Sequence, residues 1–305
     1  MTPRQVPRRS EARPHRHRVE GGRAGGELRK HFAGPPADAR DAARREWRAL
    51  RLLAERAPGL APHPLAADLR GDRPWVAMTR LPGVPLRGLP LTPEVVQALT
   101  RALARLHFPA DAPAAEALPL RPGHPAAVAA RVREWAPRLR PHTNATPHIR
   151  RALDAGLDWL GAHVPIEAHA DAEARAVRVP DPASAPPPVF GPGDGNLANY
   201  LYDQETSTVH VVDFEESGRS DRAFELAELT EHVSAWSEAA VELTPELLRL
   251  PLGPAERSLL PGYRRLLALV WLLLLTSDGL TAHPRNPPGT TDRQADRLLS
   301  LLSPL

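Results

Sequence analysis

The sequence GDGNLAN occupies residues 193–199, and VVDF follows at residues 211–214. Asp194 and Asn199 lie on a loop that we predict to enter a strand, and Asp213 ends the partner strand of the same short hairpin. Because a hairpin turns the chain back on itself, we expect two carboxylates and one carboxamide to meet at one end of it. Oxygen ligands of this kind suit Mg²⁺, which favours one or two carboxylates together with phosphate oxygens and water.

The spacing of these residues resembles that of a known family. Asp-x-x-x-x-Asn, followed by an apolar strand and Asp-Phe, is similar to the catalytic loop and metal-binding aspartate of the protein-kinase-like fold. The longer pattern, which continues past Gly218 and Asp221, resembles the aminoglycoside phosphotransferase family. The resemblance runs from about Val19 to the helices after Asp221 and is sharpest over residues 190–228. It implies an α+β, bilobal protein-kinase-like fold, with a small β-rich N-terminal lobe and a larger, mainly helical C-terminal lobe.

The resemblance also implies roles for the matching residues. Asp194 would be the catalytic aspartate, which orients the substrate hydroxyl or accepts its proton. Asn199 and Asp213 would hold Mg²⁺ against the phosphates of ATP or GTP. In the family, a histidine that braces this loop usually stands two residues before the catalytic aspartate, and that position is Pro192 here.

Lys30 is the only lysine among the 39 basic residues of the chain. It lies on a predicted strand after a glycine-rich turn, and Glu46 follows sixteen residues later within a predicted helix at 38–56. The resemblance implies a lysine that contacts the α- and β-phosphates and pairs with a glutamate on the next helix. A compact ammonium and a broad guanidinium are not interchangeable at such a site. The alternative is a solvated surface lysine, with Glu46 paired to neighbouring arginines.

Two further segments are candidates for nucleotide contact. In the glycine-rich turn, Gly22, Gly25 and Gly26 would let backbone amides approach phosphates. The turn lacks the Gly-x-Gly-x-x-Gly pattern, so a flexible linker is the alternative. The hinge that begins at Met78 and ends at Leu81 would offer backbone groups to adenine.

Acidic residues follow Asp213, and Glu215, Glu216 and Asp221 are the candidates for a substrate-binding rim. Such a rim would suit a cationic acceptor, such as an aminoglycoside or another amine-bearing alcohol. The alternative is that Asp221 caps the following helix while the other acids form its solvated face.

The chain divides into three predicted parts: a basic, disordered arm at 1–16, a nucleotide-binding lobe at 17–82, and a catalytic and substrate-binding lobe at 83–305. Hydrophobic periodicity and turn residues set the predicted elements. Strands are predicted near 17–20, 27–32, 60–69, 75–78, 200–202 and 209–212, and a linker at 164–188. Helices are predicted at 38–56, 93–107, 124–138, 147–163, 221–237, 244–250, 255–277 and 291–303.

Composition excludes several classes of protein. The chain has no cysteine, so it carries no disulfide or thiolate site. The net charge of +3 arises from the first 23 residues, which hold seven arginines and two glutamates, so the remainder is slightly acidic. A nucleic-acid-binding domain carries its basic residues on a folded face instead. The longest apolar run, 266–275, is shorter than the roughly 20 residues that span a bilayer. We therefore expect a cytoplasmic protein without nucleic-acid or membrane partners.

The leading hypothesis is a small-molecule kinase that uses ATP or GTP with Mg²⁺ and phosphorylates a hydroxyl of a small acceptor. The acceptor could equally be a choline, sugar, homoserine or fructosamine-type metabolite, since no pattern after residue 87 specifies it. The alternative from another class is a pseudokinase, a nucleotide- or partner-binding module without catalysis, which Pro192 favours. Nucleic-acid binding by the arginine-rich arm is the third hypothesis.

Overall fold

The computed structural model describes residues 17–21, 26–108, 118–139, 145–164, 186–237, 243, 247, 250–279 and 286–303. Several predictions fall on other parts of the chain. The arm at 1–16, Gly22 and Gly25, nearly all of the linker at 164–188 and most of the helix at 244–250 lie outside the described residues.

The N-terminal part is an antiparallel sheet of four strands in the order β1-β2-β4-β3. The strands are β1 (Arg18–Gly21), β2 (Glu27–His31), β3 (Pro64–Asp68) and β4 (Trp75–Thr79). Lys30 lies in β2, one of the two inner strands, opposite Val19 of β1 and Val76 of β4. Its position inside the sheet fixes the backbone from which the lysine side chain extends.

Helix α1 (Pro36–Arg56) packs against β3 and β4. It begins with a proline in its first turn, where the missing N–H costs nothing. Its buried face consists of small and branched apolar residues at helical spacing and one carboxylate, that of Glu46. A buried glutamate in an otherwise apolar stripe needs a partner from another element.

The C-terminal part contains two small antiparallel sheets. The first is ordered β5-β7-β8, from β5 (Val84–Pro85), β7 (Tyr200–Asp203) and β8 (Thr208–Val211). The second pairs β6 (Val189–Gly191) with β9 (Gly218–Ser220). The β7–β8 pair is the predicted hairpin, and a 3₁₀ helix (Leu197–Asn199) leads into it.

The described residues form eight α-helices, and seven of them belong to this larger part. After α1 come α2 (Pro93–Leu106), α3 (Pro125–Leu139), α4 (Pro147–His163), α5 (Arg222–Glu231), α6 (Val233–Trp236), α7 (Pro254–Asp278) and α8 (Thr290–Leu302). Helix α7 packs against α3, α4, α5 and α8 and forms the centre of the bundle. This arrangement confirms the predicted α+β fold class, with a small β-rich part and a larger helical part.

Helix α7 is longer than the apolar run at 266–275 indicated. Among the described residues, it is the one helix long and apolar enough to cross a membrane by length and composition. Of its most apolar window, 67% is buried inside the protein. Its leucines pack on neighbouring helices, as expected of the core helix of a globular domain.

The predicted helices at 93–107, 124–138, 147–163, 255–277 and 291–303 agree with the observed ones to within one or two residues. Threonine caps at Thr92 and Thr146 mark two of the starts. The helix predicted at 221–237 is instead two helices, with His232 at the break. The strand predicted at 60–69 is shorter, because prolines at 62 and 64 lack the N–H that a ladder requires.

The packing of α4 provides a test of the bundle. A Cβ atom at Gly156 would lie 2.8 Å from Leu269 Cδ1 and 3.0 Å from Leu298 Cδ2, whereas nothing lies within 4 Å of one at Gly161. We expect Gly156→Val to lower the free energy of unfolding by about 1–3 kcal/mol through overpacking. Gly161→Val, the control on the same helix, should change it by less than about 0.5 kcal/mol. Urea denaturation of both variants measures the difference, and equal midpoints would contradict the packing.

Candidate active site

Lys30 lies at the centre of a cluster of three carboxylates. Its Nζ is 3.1 Å from Glu46 Oε2, 2.5 Å from Asp213 Oδ1 and 3.0 Å from Glu215 Oε2. Burial lowers the pKa of the Lys30 ammonium, but the three negative charges more than offset this and raise its pKa above the ordinary value. With 8% of its side chain exposed, Lys30 is not the solvated surface lysine of the alternative interpretation.

Glu46 connects the lysine to the backbone of the second motif. Its Oε2 atom accepts one hydrogen bond from Lys30 Nζ and another, of 2.8 Å, from the backbone N–H of Phe214. The backbone of Asp213 itself is left-handed, with φ of 70°, a conformation that L-residues rarely adopt. The glutamate therefore helps to hold a strained residue in place.

The loop that carries Asp194 is fixed by hydrogen bonds to that carboxylate. Asp194 Oδ1 accepts from the backbone N–H of Asn196 at 2.9 Å, and Oδ2 accepts from Asn199 Nδ2 at 3.0 Å. Desolvation in the cleft raises the pKa of Asp194, and the nearby Asp213 charge adds to this effect. The side chain is still 39% exposed, so a ligand can reach it.

The hairpin brings Asn199 and Asp213 together as predicted. The backbone N–H of Val212 donates to the carbonyl of Asn199 at 2.9 Å, which places the end of β8 beside the loop. Since Asn199 Nδ2 is engaged by Asp194, the amide oxygen Oδ1 is the atom free to face a cation. The described residues contain no cluster of three histidine, cysteine, aspartate or glutamate side chains for a metal. Two protein oxygens do fit Mg²⁺, which takes its other ligands from phosphate and water.

Arg121 is a buried residue beside the candidate site that the sequence analysis missed. It is almost fully buried, and its Nη1 lies 2.5 Å from Glu225 Oε1 and 2.6 Å from Glu228 Oε2. Its Nη2 donates to the carbonyl of Gly193 at 2.8 Å. The backbone N–H of Gly193 in turn donates to Glu225 Oε2 at 3.4 Å. The N–H and the carbonyl of Gly193 are therefore both hydrogen-bonded to the same ion-pair network, immediately before Asp194.

His232 is the second residue that the sequence analysis missed. Its Nδ1 accepts from the backbone N–H of Ser234 at 3.1 Å, so the proton of the neutral ring is on Nε2, which lies 3.8 Å from Asp194 Oδ1. Burial lowers the pKa of His232 to about 3, which keeps the ring neutral near pH 7. The Ser234 hydroxyl oxygen accepts from the backbone N–H of Leu197 at 2.9 Å. His232 and Ser234, at the break between α5 and α6, thus contact the loop that carries Asp194 and support it.

The three residues of the predicted acidic rim lie in three different environments. Glu215 faces Lys30 and His17, and although burial raises its pKa, these two partners lower it to about 2. Asp221 is buried, where its carboxylate accepts from the backbone N–H of Ala223 at 2.9 Å and caps α5. The prediction of Asp221 as a rim residue is therefore wrong, and the helix-cap alternative is correct. Glu216 alone of the three lines a cavity beside Gly193.

The remaining nucleotide candidates have structural partners. The Gly26 carbonyl accepts from the backbone N–H of Arg80 at 2.8 Å. Met78 lies within β4, opposite Leu28 and Pro64, and is buried. The N–H of Thr79 donates to the His63 carbonyl at 3.0 Å, so the start of the predicted hinge is part of the sheet. Contact of these residues with a nucleotide stays a prediction.

Comparisons with known proteins identify the family and the fold of the chain. The model of the family described as "Phosphotransferase enzyme family" matches residues 10–267. A choline/ethanolamine kinase family protein from Mesorhizobium loti has a TM-score of 0.57 and 19% identity, over 92% of this chain and 84% of that one. The GDP and kanamycin complex of APH(2")-IIIa has a TM-score of 0.57 and 15% identity, over 94% and 90%.

A third solved structure, spectinomycin phosphotransferase APH(9)-Ia with ADP and spectinomycin, has a TM-score of 0.55 and 13% identity, over 94% of this chain and 89% of that one. At these identities the likeness establishes a shared fold. No protein with a curated function matches the chain in sequence.

The network around Arg121 generates a stability prediction. Arg121→Met would leave Glu225 and Glu228 buried without their cation, and we expect the free energy of unfolding to fall by about 3–5 kcal/mol. Arg138→Met is the control, since Arg138 forms an exposed pair with Glu134 on α3, and should cost less than about 1 kcal/mol. Chemical denaturation at pH 7.5 measures both, and a loss no larger than that of the control would contradict the network.

Proposed function

The chain belongs to the phosphotransferase enzyme family, and we propose that it is a kinase that transfers the γ-phosphate of ATP, with Mg²⁺, to a hydroxyl group of a small molecule. The single observation that carries this proposal is the contact between Lys30 and Asp213, residues 183 positions apart, at 2.5 Å. In this contact, the one ammonium of the N-terminal sheet meets the carboxylate that we propose as a ligand of the metal.

The charges of the cleft suit a nucleoside triphosphate bound with a divalent cation. In the described structure, the Lys30 ammonium is surrounded by Glu46, Asp213 and Glu215, so bound phosphate oxygens would take over part of its coordination. Asp213 and Asn199 would hold Mg²⁺, which when bound neutralises charge on the phosphates. Phosphoryl transfer depends mainly on such positioning and charge neutralisation.

We propose that Asp194 binds the hydroxyl group of the acceptor molecule through a hydrogen bond. Hydrogen bonds from Asn196 and Asn199 fix the orientation of its carboxylate, and its exposed fraction leaves it open to a substrate. A carboxylate here can orient the hydroxyl and accept its proton as the bond to phosphorus forms. Its raised pKa makes it a better proton acceptor than an ordinary aspartate.

The donor is proposed to be ATP, with GTP as the alternative. The related structures carry different nucleotides, namely GDP in the complex with kanamycin and ADP in the complex with spectinomycin. A second candidate function is a pseudokinase that binds nucleotide without catalysis, and Pro192 at the position of the family's histidine is the observation that favours it.

Replacement of the proposed catalytic aspartate distinguishes these two functions. We expect Asp194→Asn to lower kcat by a factor of about 10²–10⁴, because the general base is lost. The thermal shift that MgATP produces should persist, since the nucleotide contacts are intact. Asp158→Asn, at an exposed site on α4, is the control and should match the wild type.

Two results would count against the proposal. Wild-type turnover in Asp194→Asn would remove that residue from catalysis. A wild-type protein that binds MgATP but releases no ADP with any hydroxylated acceptor would favour the pseudokinase instead.

The lysine provides a second test of the nucleotide site. Lys30→Arg keeps the positive charge but replaces a compact ammonium with a planar group too broad for a pocket of three close carboxylates. We expect the Kd for MgATP, measured by isothermal titration calorimetry, to rise at least about tenfold, equivalent to about 1.4 kcal/mol. Arg18→Lys, at an exposed position of β1, should leave the Kd unchanged. An unchanged Kd in Lys30→Arg would mean that the lysine does not contact the nucleotide.

A further inference from the structure

His17 joins the N-terminal part of the chain to the segment that follows Asp213, the proposed metal ligand. It lies just before β1, and its Nε2 atom is 2.7 Å from Oε2 of Glu215, two residues beyond Asp213. The same carboxylate oxygen lies 3.0 Å from Lys30 Nζ. Glu215 therefore stands between two basic groups. The proposed function assigns one of them, Lys30, to phosphate and gives the other no role.

Contacts with the residues just after β2 fix the position of the His17 ring. Its Nδ1 atom accepts a hydrogen bond of 3.1 Å from the backbone N–H of Ala33, so the neutral ring carries its proton on Nε2, the atom nearest to Glu215. The ring also packs against that of Phe32, with 5.1 Å between the two ring centres. Neither contact involves Glu215, so we expect the ring to stay in place when this carboxylate moves.

The backbone around Glu215 is fixed, whereas its carboxylate is held less firmly. Arg45, on α1, donates from Nε to the Glu215 carbonyl, and the backbone N–H of Phe214 donates to Glu46. Within the described structure, Oε2 of Glu215 is buried but accepts no well-aligned hydrogen bond. The carboxylate is therefore held mainly by charge, and rotation of its side chain can bring it toward either basic group.

The three N–H groups of the Lys30 ammonium face three carboxylates, so a phosphate oxygen must displace one of them. Nζ donates to Glu46 and Asp213, and Glu215 is the third neighbour. Glu46 is held by its second hydrogen bond, and the left-handed backbone of Asp213 fixes that residue. Glu215 is the carboxylate that phosphate would displace, because it has a second basic group beside it. A carboxylate left next to phosphates without a partner would repel them.

We infer that His17 is a positioning residue for nucleotide binding, which takes Glu215 from Lys30 when phosphates arrive and holds the carboxylate away from them. The inference rests on the proposed function, because it requires that Lys30 binds the phosphates of a nucleotide. Without His17, the carboxylate keeps Lys30 as its partner and competes with phosphate for it. The apparent Kd of a ligand rises as the fraction of molecules in the binding-competent state falls.

Isothermal titration calorimetry of the full chain with MgATP tests this role. His17→Ala should raise the Kd about tenfold, because Glu215 stays on Lys30 in more of the molecules. Glu215→Gln should lower the Kd below that of the wild type, because the competing charge is lost. His17→Gln, whose amide can still donate to Glu215, should keep the Kd within about twofold of the wild type. His63→Ala, at an exposed histidine just before β3, is the control and should leave the Kd unchanged.

A double variant separates action through Glu215 from a purely structural role of His17. In the Glu215→Gln background, His17→Ala should no longer change the Kd for MgATP, because no carboxylate remains to be held. Adenosine, which has no phosphate, should bind the wild type and His17→Ala with the same Kd. A loss of affinity that persists in the Glu215→Gln background, or that extends to adenosine, would mean that His17 only supports the fold, and the inference would be wrong.

The outcomes distinguish failure of this inference from failure of the proposed function. If the wild type does not bind MgATP, the proposed function fails. If the wild type binds MgATP and His17→Ala binds it equally well, the nucleotide site stands and the inference is wrong. Weaker binding by Glu215→Gln would also overturn the inference, since the carboxylate would then be a ligand and not a competitor. Glu215→Gln and His17→Gln decide the question if His17→Ala does not fold.

Discussion

The ammonium of Lys30 and the carboxylates around it constrain both parts of the fold. Removing an ammonium from water costs several kcal/mol even in a real protein, and the cost is recovered only when close carboxylates and hydrogen bonds are in place. Glu46 comes from α1 and Asp213 from the segment just after β8, so the sheet, the helix and the hairpin must all assemble before the lysine can be buried in its charged form. Because an apolar core of the same volume would be at least as stable, a buried group of charges at this place points to function rather than stability.

The same cluster explains how a strained residue can persist. Asp213 has a positive φ, which costs on the order of 1–3 kcal/mol for a residue other than glycine. Hydrogen bonds hold the residues before and after Asp213. The N–H of Val212 donates to the Asn199 carbonyl, and the N–H of Phe214 donates to Glu46 Oε2. The surrounding hydrogen bonds therefore determine the direction of the Asp213 carboxylate. A carboxylate that must meet both an ammonium and a metal gains from such a fixed direction.

The parts of the site that could be predicted from the sequence are those with a local signal. The hairpin spacing placed Asn199 beside Asp213, and the rarity of lysine singled out Lys30. Arg121 had no such signal, because it is one of many arginines and its partners lie more than a hundred residues away. Asp221 illustrates the opposite difficulty, since an aspartate before a helix is consistent with both a cap and a ligand. Only tertiary packing, which buries its carboxylate beneath Tyr263, separates these interpretations.

Residues from other parts of the chain support the loop that carries Asp194, where Pro192 stands in place of the family's histidine. Proline has no N–H and its side chain cannot donate, so this position offers no brace to the Asp194 carboxylate. The next residue, Gly193, must be glycine, because a Cβ there would lie 2.1 Å from the Glu216 carbonyl oxygen. Because Gly193 has no side chain and Pro192 has an apolar ring, neither residue can hydrogen-bond through its side chain, and the loop depends on hydrogen bonds from other parts of the chain. Arg121 and Glu225 bind the two sides of the Gly193 backbone, and His232 faces the carboxylate from the helix break. The loop is thus held from α5 and from the segment before α3, so loss of the histidine at position 192 does not by itself leave Asp194 unsupported.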